Sequence, residues 1–266
     1  MADAQNQHQD HLIADDESLH SDTTSVRNSI LEYRMENGRS YHKYKDGSWD
    51  SLRTVTKVLR SVASSTSVPE PGCGPSTTLI TIPKLRFEVD DVEEEWLYSQ
   101  PFDYIHLRFM NGSLADWKKI ITKAYDNLLP GGYLEIQDND CVLTADDGTL
   151  PSHKPLAEFG RLIREAAKKF GRAFIPCPEL KDLLVDVGFE DVALQNFKWP
   201  SNPWPKDPHH KRIGEWNFHN FVEAAEALAL APLTRGHNWT NEEVQVFLVG
   251  VRKDMRDMRV HSYMPM

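Results

Sequence analysis

The stretch from Leu85 to Asp138 constrains the fold more than any other part of the chain. Leu85, Phe87 and Val89 alternate with Arg86 and Glu88, the two-residue period of a strand that ends at the acidic pair Asp90-Asp91. A second apolar run, Phe102 to Phe109, reads as another strand. Leu114, Trp117, Ile120, Ile121, Ala124 and Leu128 then recur at helical spacing, which predicts a helix over Leu114 to Leu129. Pro130-Gly131-Gly132 stops that helix and turns the chain into a third strand, Tyr133 to Asp138. Strand, helix and strand in this order call for parallel pairing, so the stretch is half of a doubly wound α/β domain.

Charge narrows the partners. A formal net charge of -10 lacks the basic face that phosphate binding needs, so a nucleic-acid binder is not expected. Cys73, Cys141 and Cys177 are far apart with no C-x-x-C pair, which argues against a disulfide framework and against a metal site. The expected compartment is a reducing one, cytoplasm or nucleus. The first residues have neither a basic start nor an apolar core, so they do not read as a signal peptide. No apolar run approaches the roughly 20 residues of a membrane span.

Residues 1–28 are polar and acidic, a composition that cannot bury enough apolar surface to order itself, and they read as a disordered arm. Residues 29–266 read as one domain. It opens on tyrosines (Tyr33, Tyr41, Tyr44) interleaved with Arg34, Arg39, Lys43 and Lys45 around an Asn37-Gly38 turn. Such a pattern can grip a phosphate, but the simpler expectation is rings packed on the domain with the charges left in water. Ser51 to Ala63 has the stripe Leu52, Val55, Leu59, Val62 of a short amphipathic helix, and Leu79 to Ile82 is a short strand candidate. Downstream, helices are expected from Leu156 to Phe170, from Leu180 to Val187 with Gly188 as the stop, and from Lys211 to Leu230. A last helix starts at Thr240, where Thr240 and Glu243 have capping-box spacing. Val192 to Pro200 is strand-like. Glu93, Glu94 and Glu95 read as a solvated face.

The blocks LRFEVDD, FDYIHLRF and LLPGGYLEIQD resemble the third, fourth and fifth strands of class I S-adenosylmethionine-dependent methyltransferases. EYRMENGRSYHKYKDG near the start, with the blocks Asn202 to Pro208, Ile213 to Asn217, Leu230 to Arg235 and His261 to Pro265, is similar to a fungal branch of that family. Its members are related to nuclear regulators of secondary metabolism and to enzymes of secondary-metabolite gene clusters. The resemblance implies an α/β, Rossmann-like fold with added C-terminal helices. It also implies methyl transfer from S-adenosylmethionine to a small-molecule substrate; the alternative is a catalytically inactive regulatory protein that binds a protein partner. It places Asp90 and Asp91 at the adenine edge of the cofactor, and His106 and Arg108 where cofactor and substrate meet. Glu135 and Asp138 could orient a substrate or pair structurally. No catalytic base is assigned.

One interval departs from the family. Relatives have a first strand, a glycine-rich loop, a helix and a second strand before the third strand, where glycines let backbone approach the methionyl group and a carboxylate accepts from the ribose. Here Ser48 to Lys84 offers 37 residues, of which the amphipathic helix uses a third. A single βαβ unit needs roughly 30. The first βαβ unit is therefore expected to be missing or degenerate, with residues 48–84 an atypical linker and the sheet truncated. Gly72-Cys73-Gly74-Pro75 spells a methyltransferase glycine loop, yet Pro69 and Pro71 precede it where a strand would have to be. It reads as coincidence or a decayed trace, and cofactor binding is expected to be weak or absent. A contiguous gap between matching blocks also has the form left by a misplaced exon boundary, which sequencing the transcript across Gly47 to Leu85 decides.

Overall fold

The expected strand–helix–strand unit is present and parallel. In the computed structural model, which describes residues 33–36, 39–42 and 91–266, it comprises β3 (Phe102–Arg108), α1 (Trp117–Asp126) and β4 (Leu128–Gln137). It follows a short antiparallel ribbon, β1 (Tyr33–Glu36) and β2 (Arg39–His42), in which Glu36 faces Arg39; Asn37 and Gly38 lie outside the described residues. The arm 1–28, the Ser51 to Ala63 helix, Gly72 to Pro75, the strands at Leu79 to Ile82 and Leu85 to Val89, and Asp90 lie outside the described residues. Ile105 and Leu107 point to one face of the strand pair and are buried against Trp117, Ile120, Ile121 and Ala124 of α1. Each such side chain contributes about 1.5–3 kcal/mol on burial, so this interface holds the unit together.

Both ends of α1 differ from the sequence reading. Asp116 caps α1 by accepting from the Lys119 amide at 3.0 Å, so the helix starts at Trp117; Leu114 and Leu128 pack beside it from outside. The helix ends at Asp126, and Pro130-Gly131-Gly132 does not terminate it. The three residues form an irregularity inside β4, where the register jumps from Phe102 opposite Leu128 to Tyr104 opposite Tyr133. Gly131 takes φ +82°, and a Cβ on Gly132 would meet the carbonyl oxygens of Leu129 and Asp103 at 2.9 and 3.0 Å.

Beyond β4, α2 (Pro155–Lys169), α4 (Pro208–Ala231) and α5 (Asn241–Arg256) share a second core built on Leu156, Phe159, Ile163, Ala225, Leu230, Val244 and Leu248. A π-helical turn, Pro232–Gly236, joins α4 to the segment before α5. α3 (Cys177–Val187) lies against α1 and stops at Gly188 with φ +119°, as expected. The Thr240 and Glu243 capping box forms with both of its bonds. α4 begins at Pro208, before Lys211, because Asp207 accepts from the His210 amide and a proline fits the first helical position. The strand-like run from Val192 yields only β5 (Lys198–Pro200), paired antiparallel with β6 (Tyr263–Pro265). Among the described residues no helix is long and apolar enough to cross a membrane.

Candidate functional site

The face of the strand pair turned away from α1 carries the polar side chains. Alternation puts Tyr104, His106 and Arg108 of β3 there, and the register sets them beside Tyr133, Glu135 and Gln137 of β4. The Tyr104 hydroxyl donates to Glu135, and Gln137 donates to the same carboxylate at 2.6 Å. The Tyr104 bond, then that of Gln137, lowers the Glu135 pKa; burial, with the Glu135 bond, pushes the Tyr104 phenol up to about 12. Glu135 is thus a satisfied carboxylate rather than a free base. The His106 ring is nearly parallel to Tyr104 with centroids 6.2 Å apart, and its Nε2 is buried with no hydrogen-bond partner. Arg108 is exposed, its guanidinium 5.0 Å from the centre of the Phe109 ring. Phe109 itself has φ +53°, a left-handed conformation that a bulky residue rarely takes.

The structure brings together two of the four residues assigned to the cofactor, His106 and Arg108. Asp91 is held in a turn of its own segment. Its Oδ1 accepts from the Glu93 amide at 2.8 Å, which closes a turn, and the carbonyls of Val92, Glu93 and Glu94 all accept from Lys123 at the end of α1. That segment lies on the α1 side of the strand pair, opposite the His106 face.

Glu93 corrects the reading of an acidic solvated run. Its side chain is 15% exposed, pairs with Arg172 at 3.0 Å, and accepts from the Ala115 amide at 2.8 Å. Arg172 also donates to the Ser113 carbonyl. Glu94 and Glu95 are exposed, as expected. The pair escapes sequence inspection because its members are 79 positions apart.

At the carboxyl ends of the strands, where open α/β sheets bind ligands, a buried node fixes both loops. Asp138 Oδ2 accepts from the amides of Met110 and Asn111 at 2.6 and 2.9 Å, and Oδ1 accepts from Asn139 at 2.8 Å. Burial raises the Asp138 pKa to about 6 against these bonds. Asn111 reaches the other way, exchanging bonds with Ile175 through Nδ2 and Oδ1 at 2.8 and 2.9 Å. Of the two readings open for Asp138, pairing is the one realised. An open cleft of about 1320 Å³ runs from Tyr104 and Arg108 along the outer edge of β4 to Phe189 and Phe197. Among the described residues, β4 pairs with β3 alone.

Comparison with known proteins decides the family. The methyltransferase domain family matches residues 35–194, more than half of the chain. This chain belongs to that family. Methyltransferase pytC of Aspergillus terreus is 32% identical over 286 residues, covering 91% of this chain and 88% of its own. The probable methyltransferase tdiE of Emericella nidulans is 33% identical over 67% of this chain and 56% of its own length. The secondary metabolism regulator LAE1 of Cochliobolus heterostrophus is 36% identical over 68% of this chain and 60% of its own. The comparison with pytC is longer than the 266 residues of this chain, so pytC carries residues that have no counterpart here.

Membership implies S-adenosylmethionine; residues 43–90, where the family carries the glycine cradle for it, lie outside the described residues. Among the described residues, His106 and Arg108 stand together on the outer face of β3. One oxygen of the Asp91 carboxylate accepts from the Glu93 amide, and among the described residues β3 pairs with β4 alone.

Proposed function

We propose that this chain serves fungal secondary metabolism as a methyltransferase-family protein that engages a small molecule through its C-terminal half, and that its hold on S-adenosylmethionine is weak or lost. The similarity to pytC over nearly the whole chain carries the first part. The interval Ser48 to Lys84 supports the second: its 37 residues are too few for the strand, glycine loop, helix and second strand that the family carries there. The cytoplasm or the nucleus is the expected location.

A second reading is a non-catalytic regulator with a protein partner, favoured by the short interval Ser48 to Lys84 and by the likeness to LAE1, named a regulator. Disrupting the gene and profiling extracts by mass spectrometry separates the two. Loss of one methylated compound supports small-molecule work, loss across many unrelated compounds supports regulation, and an unchanged profile contradicts both.

A further inference from the structure

Two blocks that mark the fungal resemblance, Asn202 to Pro208 and His261 to Pro265, have no chemistry assigned from sequence, and the fold brings them to one place. The loop that leaves the carboxyl end of β4 passes through Asp146, Asp147 and Thr149. Thr144 of that loop exchanges backbone bonds with Tyr263 at 3.0 and 2.9 Å. His261 Nδ1 then lies 2.5 Å from Asp147 Oδ2. Thr149 donates to Asp147 Oδ1 through its amide at 3.1 Å and its hydroxyl at 2.8 Å, and the same hydroxyl oxygen accepts from the His261 amide at 2.9 Å. The Trp204 ring backs the imidazole, with centroids 4.8 Å apart. Trp204 is itself anchored by its indole N–H on the Ser262 carbonyl at 3.0 Å. Beside them Asp146 accepts from Tyr263 at 2.7 Å and from Lys198 at 2.6 Å.

A carboxylate on Nδ1 holds the imidazole in the tautomer that carries its proton there and leaves the Nε2 lone pair free. The His261 bond, with those of Thr149, keeps Asp147 at a pKa of about 2, so the partner stays an anion at any physiological pH. The histidine is 39% exposed and the aspartate 46%, so a ligand can reach the ring. Stability alone does not call for this arrangement. Exposed charge pairs contribute little, and the Thr144–Tyr263 backbone pair already joins the Asp147 loop to the His261 segment.

We propose that His261, positioned by Asp147 and backed by Trp204, is the proton-accepting site for a phenolic or enolic small molecule. The inference rests on the small-molecule reading of the function and goes beyond it by naming the acceptor chemistry and the base. In the step, the ligand O–H bond breaks and its proton moves to Nε2. The electron pair stays on oxygen as a phenolate or enolate, and the imidazolium keeps its Nδ1 proton on Asp147. The substrate class follows from matching. Imidazoles as a class titrate near ~6.5 and phenols near ~10, whereas an alkyl alcohol is far out of range.

The probe is 4-nitrophenol, whose phenolate is yellow, titrated with the full chain at a pH where the free probe is mostly protonated. The bound probe is expected to be at least threefold more ionised than the free probe. H261Q is expected to remove that difference. In D147N, the ring nitrogen-15 shifts of His261 are expected to show the Nδ1–H tautomer losing its dominance. A bound probe no more ionised than the free one, an absence of saturable binding, or an H261Q variant that ionises the probe as well as the wild type would each overturn the proposal. An unchanged tautomer in D147N would remove Asp147 from it. The wild-type measurement decides by itself if a variant fails to fold. The assay contains no methyl donor, so ionisation of the probe alongside an unchanged metabolite profile leaves the dyad standing while the functional reading falls.

Discussion

Asp138 accepts the Met110 amide at 2.6 Å, and this one bond ties the carboxyl end of β4 to that of β3. Asp138→Ala strands the amides of Met110, Asn111 and Asn139 in a buried site, which costs about 1–3 kcal/mol for each group left unpaired. A loss of about 3 kcal/mol in urea unfolding is expected, with Asp138→Asn costing less because the amide oxygen still accepts.

The same carboxyl gives stability a pH dependence of defined sign. Its folded pKa of about 6 lies above the roughly 3.9 of an unfolded aspartate, so the folded state binds the proton more tightly. Stability contributed by this group is therefore greatest below about 4 and is lost as pH rises through 6. Measured as the difference in unfolding free energy between wild type and D138N, the wild type should gain ground as pH falls from 7 to 4. A difference that moves the other way contradicts the assignment.

Arg172 and Glu93 form a pair only 10% and 15% exposed, so removing either side leaves a poorly solvated charge. Arg172→Ala is expected to destabilise by about 3 kcal/mol. Removing both partners should cost less than the two single substitutions combined, and a double-mutant cycle in urea reads the coupling.

What the sequence disclosed follows from where the signal resides. Short-range signals are legible: the α1 stripe from Trp117 to Ala124, the Thr240 capping box and the Gly188 stop all form where periodicity and capping place them. Pro130-Gly131-Gly132 misleads because the residues that break a helix also build a bulge, and only the pairing with β3 tells the two apart. Val192 to Pro200 alternates like a strand, but only its end, from Phe197 on, finds a backbone partner, the segment Tyr263 to Met266, so tertiary context overrides the pattern. At the site, His106 and Arg108 are placed on one face by simple alternation. Glu93 with Arg172, and Asp147 with His261, are 79 and 114 positions apart, beyond any local pattern.

Gly132 tests the bulge. A methyl group there would press on the carbonyls of Leu129 and Asp103, so Gly132→Ala should lower the melting temperature by several degrees, equivalent to about 1–3 kcal/mol. An unchanged melting temperature would mean that β4 follows a different path past Asp103.

The central proposal is that this family scaffold holds S-adenosylmethionine weakly or not at all, and isothermal calorimetry with S-adenosylmethionine tests it most directly. Purified full-length chain is predicted to give no stoichiometric heat, or binding weaker than about 100 μM, with Asp91→Ala indistinguishable from wild type because that carboxylate serves its own turn. Stoichiometric binding in the low micromolar range, weakened by Asp91→Ala, would contradict the account.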